Sequence, residues 1–474
     1  MVREFKLYIG GEWMSSPETM EIINPYNREV IAKVYRGQPE HVEEATRRAV
    51  EAFEETRRLP GYRREAILSH ISRRISERKE EIARTMALEA GKPIRDARVE
   101  VGRAVNTFKF AAEEAKRIAG ELLPLDWAPG YEGRLGLTRR VPIGPVVGIS
   151  PFNFPLNLVA HKVAPALAAG NPIVMKPASY DPLCSLLLAE IIQETDWPKG
   201  GFSLIPCSPR VAEAMVWDPR FKKVTFTGSM DVGWDLKAKA GKKKVTLELG
   251  GNAGVIVHED ADLDWATRRC TVGSFAYAGQ VCISVQRIFV QERVYDPFMD
   301  QFIDRVSNLK VGDPLEESTD VGPMISEQDA KRIEGWIEEA TAQGAKVVCG
   351  GKREGTLFQP TVLTDVKPEM KVCCLEAFAP IVTVSPYGTF EEAVRAVDDS
   401  AYGLQAGVFT RDLNRIFHAF ERIQVGGLII NDVPTYRIDH MPYGGMKDSG
   451  FGREGLKYAI EEMTEIKLLA LNLG

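Results

Sequence analysis

The feature that most constrains the fold is a series of short apolar runs that alternate with helical patterns between residues 146 and 226. The runs and the helical patterns follow one another at 146–150, 159–168, 172–175, 183–193, 202–205, 209–217 and 223–226. Nearly continuous apolar strands joined by helices are typical of a parallel sheet that is covered on both faces. The sequence therefore predicts a doubly wound α/β domain, which binds ligands at the carboxyl ends of its strands.

The rest of the chain is organised around this block. A strand at 244–249 ends in two glycines, and a second alternating block follows, with strand candidates at 254–257, 287–290, 345–348, 381–384 and 427–430. Residues 5–35 predict short antiparallel strands, and residues 40–120 predict helices. A glycine- and proline-rich excursion at 122–140 and an apolar final strand at 465–471 complete the chain. We place a domain boundary near Gly250, where the two α/β blocks meet.

Length and composition exclude several classes of protein. A chain of 474 residues exceeds what one hydrophobic core usually serves, so two or three domains are expected. A net charge of -6 argues against a nucleic-acid partner. The seven cysteines are scattered, without the spacing of a disulfide framework or a zinc site. With no apolar run long enough to span a membrane, the sequence predicts a cytoplasmic protein that binds neither a metal nor a membrane.

One cysteine lies in a favourable position for a nucleophile. Cys282 stands in the stretch 279–284, Gly-Gln-Val-Cys-Ile-Ser, just after a glycine turn. A thiol reacts as its thiolate, and a free cysteine with a pKa of about 8.5 is mostly protonated at neutral pH. From this stretch alone, an inert buried thiol is the favoured interpretation, because cysteine is among the most buried residue types.

Four loops at the carboxyl ends of predicted strands carry further candidates. Asn153 is a potential oxyanion donor or a turn residue, and Lys176 with Ser179 suits a nucleotide ribose or is merely solvated. The turn 226–233 leads from a strand into a helix whose N-terminal amides suit a phosphate, although it lacks a GxGxxG pattern. Glu248 is a potential general base if it is desolvated, or a strand-end glutamate paired with a lysine.

Taken in order, these loops resemble the motifs of the aldehyde dehydrogenase superfamily, and the resemblance covers essentially the whole chain. The separation of Glu248 from Cys282, 282 − 248 = 34 residues, is similar to the spacing in that family. Two further matches are the segment 375–380, Leu-Glu-Ala-Phe-Ala-Pro, and the C-terminal segment 442–454. The subgroup that this sequence resembles includes lactaldehyde and non-phosphorylating glyceraldehyde-3-phosphate dehydrogenases.

The resemblance implies an α/β fold with a Rossmann-like cofactor domain, an α/β catalytic domain and a small β oligomerisation flap. It assigns residues 1–121 and 141–249 to the cofactor domain, 250–447 to the catalytic domain, and 122–140 and 458–474 to oligomerisation, as a homodimer or homotetramer.

It also implies NAD(P)-dependent oxidation of an aldehyde to the acid. Cys282 would form a thiohemiacetal and then a thioester, Asn153 and the Cys282 N–H would hold the oxyanion, and Glu248 would activate water. The residues that the resemblance places at the cofactor are Ile149, Ser150, Pro151, Phe152, Lys176, Ser179, Gly228, Ser229, Val232, Leu249, Gly250, Glu376 and Phe378.

Departures from the family pattern concern the choice of cofactor. Ser179 stands where many NAD-preferring members have a glutamate on the ribose hydroxyls. A serine removes the charge that would repel a 2′-phosphate, and Lys176 is near enough to neutralise one, so we expect NADP to be accepted besides NAD. Cys207 and the residues after it replace a glycine-rich turn near the adenine, and Ala379 replaces a usual glycine.

The substrate is expected to be a small polar aliphatic aldehyde of the lactaldehyde, glyceraldehyde-3-phosphate or semialdehyde type. Arg437, in the stretch 431–440, and Arg117, on an earlier helix, are candidates to meet its anionic or hydroxyl group. Surface arginines in solvated ion pairs are the alternative for both.

Two rival functions remain open at this stage. In a CoA-acylating semialdehyde dehydrogenase, CoA instead of water would resolve the thioester, but such enzymes generally lack the base found here as Glu248. A non-catalytic structural or binding protein of dehydrogenase descent would not need Cys282, Glu248 and Asn153 together.

Overall fold

The computed structural model describes residues 3–473, and its first third holds short strands followed by long helices. These elements are β1 (Arg3–Phe5), β2 (Leu7–Ile9), β3 (Glu12–Met14), β4 (Thr19–Ile23), β5 (Val30–Tyr35), α1 (Pro39–Thr56), α2 (Gly61–Glu77), α3 (Lys79–Ala90), α4 (Ile94–Ala115), β6 (Leu122–Pro124) and β7 (Arg134–Pro142). The helices present alanine, isoleucine and valine to the core at helical spacing and charged residues to solvent, as their sequence pattern predicts.

The alternating region folds into parallel strands joined by helices, which confirms the predicted α/β class. Its elements are β8 (Val146–Ile149), α5 (Asn157–Ala169), β9 (Ile173–Lys176), α6 (Leu183–Gln193), β10 (Phe202–Leu204), α7 (Pro209–Trp217), β11 (Lys223–Thr227), α8 (Met230–Lys239) and β12 (Lys244–Glu248). Helices cover both faces of this sheet, so its strands are buried nearly throughout and are mostly apolar, although β11 also buries Lys223, Thr225 and Thr227.

The second block is longer and less regular. Its elements are β13 (Ala253–Val257), α9 (Leu263–Phe275), β14 (Val285–Gln291), α10 (Tyr295–Ser307), α11 (Glu327–Ala342), β15 (Lys346–Cys349), β16 (Arg353–Glu354), β17 (Leu357–Phe358), β18 (Thr361–Thr364), α12 (Lys371–Cys374), β19 (Ile381–Tyr387), α13 (Phe390–Asp398), β20 (Tyr402–Gly403), β21 (Gln405–Phe409), α14 (Leu413–Arg422) and β22 (Gly427–Ile430). The chain ends with β23 (Met446–Lys447), β24 (Gly450–Phe451), α15 (Leu456–Glu462) and β25 (Thr464–Asn472).

The first sheet has the strand order β24-β12-β11-β8-β9-β10-β2-β3. From β8 the chain moves to β9 and β10 on one side, and it then returns to β11 and β12 on the other. Strand order therefore reverses between β8 and β11, which are paired in parallel. A crevice at the carboxyl ends of the strands beside such a reversal is where open α/β sheets bind ligands.

The second sheet has the order β15-β18-β19-β14-β13-β21-β22. It contains two strands, β18 and β21, that the sequence pattern did not predict, and β15 pairs antiparallel at its edge. Along the sequence, β12 of the first sheet ends at Glu248, and β13, the first strand of the second sheet in chain order, begins at Ala253.

Two terminal regions take places that local pattern did not indicate. The predicted antiparallel strands near the N-terminus divide, because the β2–β3 hairpin extends the first sheet while β1, β5 and β4 form a sheet of their own. β24 joins the opposite edge of the first sheet and pairs with β12. Contacts between distant parts of the chain decide both placements.

A small separate sheet has the order β25-β7-β6. β25 pairs with β7 along its whole length, from Thr464 opposite Pro142 to Asn472 opposite Arg134. The tail contributes to this sheet only from Thr464, since α15 packs on α5 instead. Among the described residues, no helix has both the length and the apolar character that crossing a bilayer requires.

Candidate active site

Cys282 follows a backbone segment in an unusual conformation. Tyr277, Ala278 and Gly279 have φ values of 48°, 53° and 67°, which lie in the left-handed region. This region costs a non-glycine residue roughly 1–2 kcal/mol. At Gly279 a Cβ atom would lie 2.1 Å from the Ala379 carbonyl oxygen, so only glycine fits. The Tyr277 hydroxyl donates to the Ala90 carbonyl at 2.7 Å, which helps to fix the turn that presents Cys282.

The Cys282 thiol is partly buried against a tyrosine and an arginine. Its Sγ lies 3.1 Å from the Tyr443 hydroxyl oxygen, and the Arg437 guanidinium lies 3.6 Å above the Tyr443 ring. Burial raises the pKa of Cys282 to about 11, although the Tyr443 hydrogen bond and the Arg437 charge act in the opposite direction. These two neighbours are therefore the groups of this chain that favour the thiolate.

Asn153 is buried beside the cysteine segment. Its amide Nδ2 donates to the Gln280 carbonyl at 3.0 Å, two residues before Cys282. The main-chain carbonyl oxygen of Asn153 accepts a hydrogen bond from the buried Lys92 ammonium at 2.7 Å. Lys92 in turn forms an ion pair with Glu100. The hydrogen bond to Gln280 holds the Asn153 side-chain amide beside the cysteine segment.

Glu248 ends β12 with a buried and unpaired carboxylate. Neither of its oxygens has a hydrogen-bond partner within residues 3–473. Burial first, and then the charge of Glu454, raise the pKa of Glu248 well above its usual range, while Arg437 and Lys162 act in the opposite direction. The alternative of a direct lysine pair does not hold, because Lys162 binds Glu454 instead, at 3.2 Å.

A cavity of about 340 Å³ opens onto Cys282. Its walls come from α4, α5, α9 and the segment 435–443, and they include Lys92, Asp96, Val99, Glu100, Arg103, Phe154, Asn157, Leu158, Arg269, Val272, Tyr277, Ile283, Thr435, Arg437 and Tyr443. A cavity of this size, lined by both apolar and polar side chains, is typical of a small-molecule site. It gives an aldehyde carbonyl a route to the thiol.

Two arginines of this cavity belong to buried ion pairs. Arg437 Nη2 donates to Glu454 at 3.0 Å, and its Nε has no hydrogen-bond partner in the described chain. Arg103 Nη2 donates to Asp439 at 2.7 Å. Cationic groups therefore line the side of the cavity that faces the 435–443 segment.

The prediction that Arg117 meets the substrate is corrected by the structure. Arg117 follows the end of α4 with a side chain 60% exposed, and it pairs with Glu113 and Glu114. It does not line the cavity. Arg103 lines the cavity instead, because it lies on the face of α4 that packs against the 435–443 segment.

The predicted cofactor residues gather at the carboxyl ends of the first sheet. Ile149 to Phe152 follow β8, Lys176 ends β9 with Ser179 exposed beyond it, Gly228, Ser229 and Val232 lead into α8, and Leu249 with Gly250 follows β12. Glu376 and Phe378 approach them from the other α/β block. The Phe152 and Phe378 rings meet edge to face at 5.8 Å, which closes one side of the crevice.

These residues fit a dinucleotide. α8 begins without a side-chain cap, so its first amides are available to a pyrophosphate. The buried Ser150 hydroxyl has no partner in the described chain, as expected of a group that awaits a ligand. A Cβ atom on Gly250 would lie 2.2 Å from Glu376 Oε2, so the glycine lets that carboxylate reach the crevice. No group of three or more His, Cys, Asp or Glu side chains within residues 3–473 is placed to hold a metal ion.

Sequence reasoning missed several residues of the site. Tyr443 and Glu454 lie in the C-terminal motif, but nothing in the motif indicated their contacts. Arg103 and the Lys92–Glu100 pair lie among the many charges of the helical region, where most are solvated. Glu100 is a charge on the otherwise apolar face of α4, whereas Lys92 lies in the loop before that helix.

Comparisons with known proteins identify the family of this chain. The sequence profile of the aldehyde dehydrogenase family matches residues 13–469. A 3-sulfolactaldehyde dehydrogenase of Priestia aryabhattai is 46% identical over 100% of this chain and 99% of its own length.

Two solved structures have the same fold. Aldehyde dehydrogenase 21 from Physcomitrella patens, in complex with the reaction product succinate, is 46% identical with a TM-score of 0.98, covering 100% of this chain and 99% of its own. The glyceraldehyde-3-phosphate dehydrogenase GapN of Methanocaldococcus jannaschii, complexed with NADP, is 43% identical with a TM-score of 0.93, covering 96% and 100%. This chain therefore belongs to the aldehyde dehydrogenase family and is an NAD(P)-dependent oxidoreductase.

Proposed function

We propose that this protein oxidises a short aldehyde that carries an anionic group at its far end, with NAD or NADP, to the carboxylic acid. The observation that carries the proposal is the buried Arg437 guanidinium in the wall of the Cys282 cavity, with Arg103 lining the same cavity. The names of the relatives support it, since sulfolactaldehyde, succinate and glyceraldehyde 3-phosphate all bear an anion. Semialdehydes carry such an anion, whereas lactaldehyde is a small polar aldehyde without one.

In the acylation step the Cys282 thiolate attacks the aldehyde carbonyl. The Tyr443 hydroxyl donates to the sulfur, and the Arg437 charge behind the ring favours the thiolate. Asn153 uses one N–H on Gln280, which leaves the other for the oxyanion beside the Cys282 backbone N–H. One such donor is worth about 2.7–4 kcal/mol of transition-state stabilisation.

A bound nicotinamide would supply the acceptor for the hydride whose loss converts the Cys282 thiohemiacetal to a thioester. The residues that would hold the cofactor are those of the crevice, from Ser150 and Lys176 to Glu376. Glu248 then takes a proton from the water that attacks the thioester. Its desolvated carboxylate is basic enough for this role because its pKa is raised.

Ser179 is proposed to permit NADP. Changing Ser179→Glu places a negative charge where a 2′-phosphate would lie, so the NADP-to-NAD ratio of kcat/KM should fall at least about tenfold, or 1.4 kcal/mol. Ser179→Gln is the matched control, since it adds similar bulk without charge. Initial rates with both cofactors measure the effect, and an unchanged ratio in the glutamate variant would rule out contact between Ser179 and the ribose.

Arg103 provides the test of the anionic substrate. Changing Arg103→Gln should raise KM about 10- to 100-fold for an anionic aldehyde such as succinate semialdehyde, because a hydrogen bond to a charged group is worth ~1.5–3 kcal/mol. KM for butanal, which has the same chain length without charge, should change less than about twofold. Arg95→Gln is the matched control, because Arg95 is exposed on the same helix and pairs with Asp320 outside the cavity. Equal losses on both aldehydes would refute the proposed anion contact.

We also propose a cytoplasmic homo-oligomer, a dimer or tetramer, with the domain division predicted from the sequence. Exposed apolar side chains on the β25-β7-β6 sheet, Leu122, Leu137, Ile466, Leu468 and Leu469, support its role as an oligomerisation flap, since large apolar patches mark protein interfaces. The free state of all seven cysteines fits a reducing compartment.

A further inference from the structure

The cavity contains a third arginine, farther from the nucleophile. α9 lines the cavity with Arg269 and with Val272 three residues on, so the two share one helix face. α9 ends at Phe275, and Arg269 therefore stands about 9 Å along the helix axis from the end that leads to Cys282. Helical side chains lean toward the N-terminus of their helix, so the Arg269 side chain extends away from the end of α9 that leads to Cys282.

Arg269 is held in place but keeps free donors. Its Nε donates to Asp432 Oδ1 at 2.5 Å, and its guanidinium lies 5.7 Å from the Trp265 ring centroid. In the described part of the chain, its two terminal nitrogens make no hydrogen bond. The side chain is 24% exposed, and the N–H groups of these nitrogens are free to donate to a ligand. A positioned guanidinium with free terminal N–H groups is a binding site for a carboxylate.

The cavity is larger than a four-carbon semialdehyde needs. About 340 Å³ has room for roughly eleven water-sized groups at ~30 Å³ each. The wall also contains the apolar side chains of Leu158, Val272 and Ile283. These side chains suit the methylene groups of a longer substrate.

We propose that Arg269 forms an outer anion subsite, which admits ω-carboxy aldehydes two or three methylene groups longer than succinate semialdehyde. Their carbonyl reaches Cys282, their methylene groups lie along the apolar wall, and their carboxylate passes Arg103 and binds Arg269. The inference rests on the proposed aldehyde oxidation and extends it from short anionic substrates to longer ones.

The test compares Arg269→Gln with Arg268→Gln. Arg268 is the neighbouring residue on α9, but its side chain is 56% exposed and pairs with Asp264 outside the cavity. Both changes remove one positive charge from the same helix, so they alter the long-range field alike. The substrates are the four- and seven-carbon ω-carboxy aldehydes and the unbranched alkanals of the same two lengths.

Arg269→Gln is expected to lower kcat/KM for the seven-carbon acid at least tenfold, through KM. The four-carbon acid and both alkanals should change less than twofold, which also shows that the variant is folded. Arg268→Gln should leave all four substrates within twofold. Heptanedioate, which has a carboxylate at each end, should inhibit the wild type competitively and the Arg269 variant at least tenfold more weakly.

Several outcomes would overturn the proposal. One is an Arg269→Gln loss that is equal for the seven-carbon acid and its alkanal, and another is no loss at all. Inhibition by heptanedioate that is the same in wild type and variant would also overturn it. Failure of the short-substrate proposal is a separate result, because it would appear as an Arg103→Gln enzyme with unchanged KM for the four-carbon acid.

Discussion

Changing Cys282→Ala is expected to abolish aldehyde oxidation, lowering kcat/KM by ~10⁴-fold or more, as loss of a covalent nucleophile does elsewhere. The physical reason is that no other thiol lies in the cavity next to Tyr443 and Arg437 among the described residues. The change removes one atom from a partly buried side chain, so the fold should be kept. Steady-state assays with succinate semialdehyde and each cofactor measure the loss.

The control for this variant is Cys374→Ala, which removes an exposed thiol and should keep full activity. Cofactor binding to the Cys282→Ala protein, followed by quenching of its tryptophan fluorescence, should be unchanged. A Cys282→Ala enzyme that still turns over would show that the nucleophile lies elsewhere.

Changing Glu248→Gln should slow steady-state turnover about 10²- to 10⁴-fold, the usual contribution of a general base. The acylation step does not need Glu248, so a rapid burst of NAD(P)H, one equivalent per active site, should remain. Rapid mixing with product quantification separates the two phases. A lost burst together with lost turnover would mean that Glu248 acts before the thioester forms.

The pH dependence of the wild-type enzyme should follow the same residue. Glu248 must be deprotonated to accept a proton from water, and its pKa is raised by burial, so thioester hydrolysis should rise as pH increases through that pKa and then level off. This limb should be absent from the Glu248→Gln profile.

If added CoA yields acyl-CoA faster than the acid forms, the CoA-acylating alternative is favoured instead.

Stability provides a further check on the Glu248 variant. Since the folded-state pKa of Glu248 lies above its unfolded value, its contribution to the free energy of unfolding is present at low pH and is lost as pH rises through the folded pKa. Glutamine does not titrate, so the variant has no such pH-dependent loss in its free energy of unfolding. The variant should therefore be at least as stable as the wild type at alkaline pH, and its slow turnover there cannot be attributed to unfolding.

Much of the fold could be predicted from periodicity. The helices at 183–193 and 209–217 have the predicted bounds, because strongly apolar segments alternate with clear turn signals there. β18 was missed because it is a four-residue run between the two-residue strand β17 and the four-residue helix α12. β21 was missed although the helices α13 and α14 flank it. β24, only two residues long, has no local strand signal and is a strand only because β12 pairs with it.

The sequence by itself determined the α/β architecture and singled out Cys282, Glu248 and Asn153, because apolar period and motif order are local properties of the chain. Only the tertiary structure decided which arginine faces the cavity. Arg103 and Arg117 belong to the same helical region, but Arg103 meets Asp439, 336 residues away in sequence, while Arg117 meets its own helix. The unpaired state of Glu248 and the place of Arg269 in the cavity wall also depend on packing between distant segments, which no local pattern encodes.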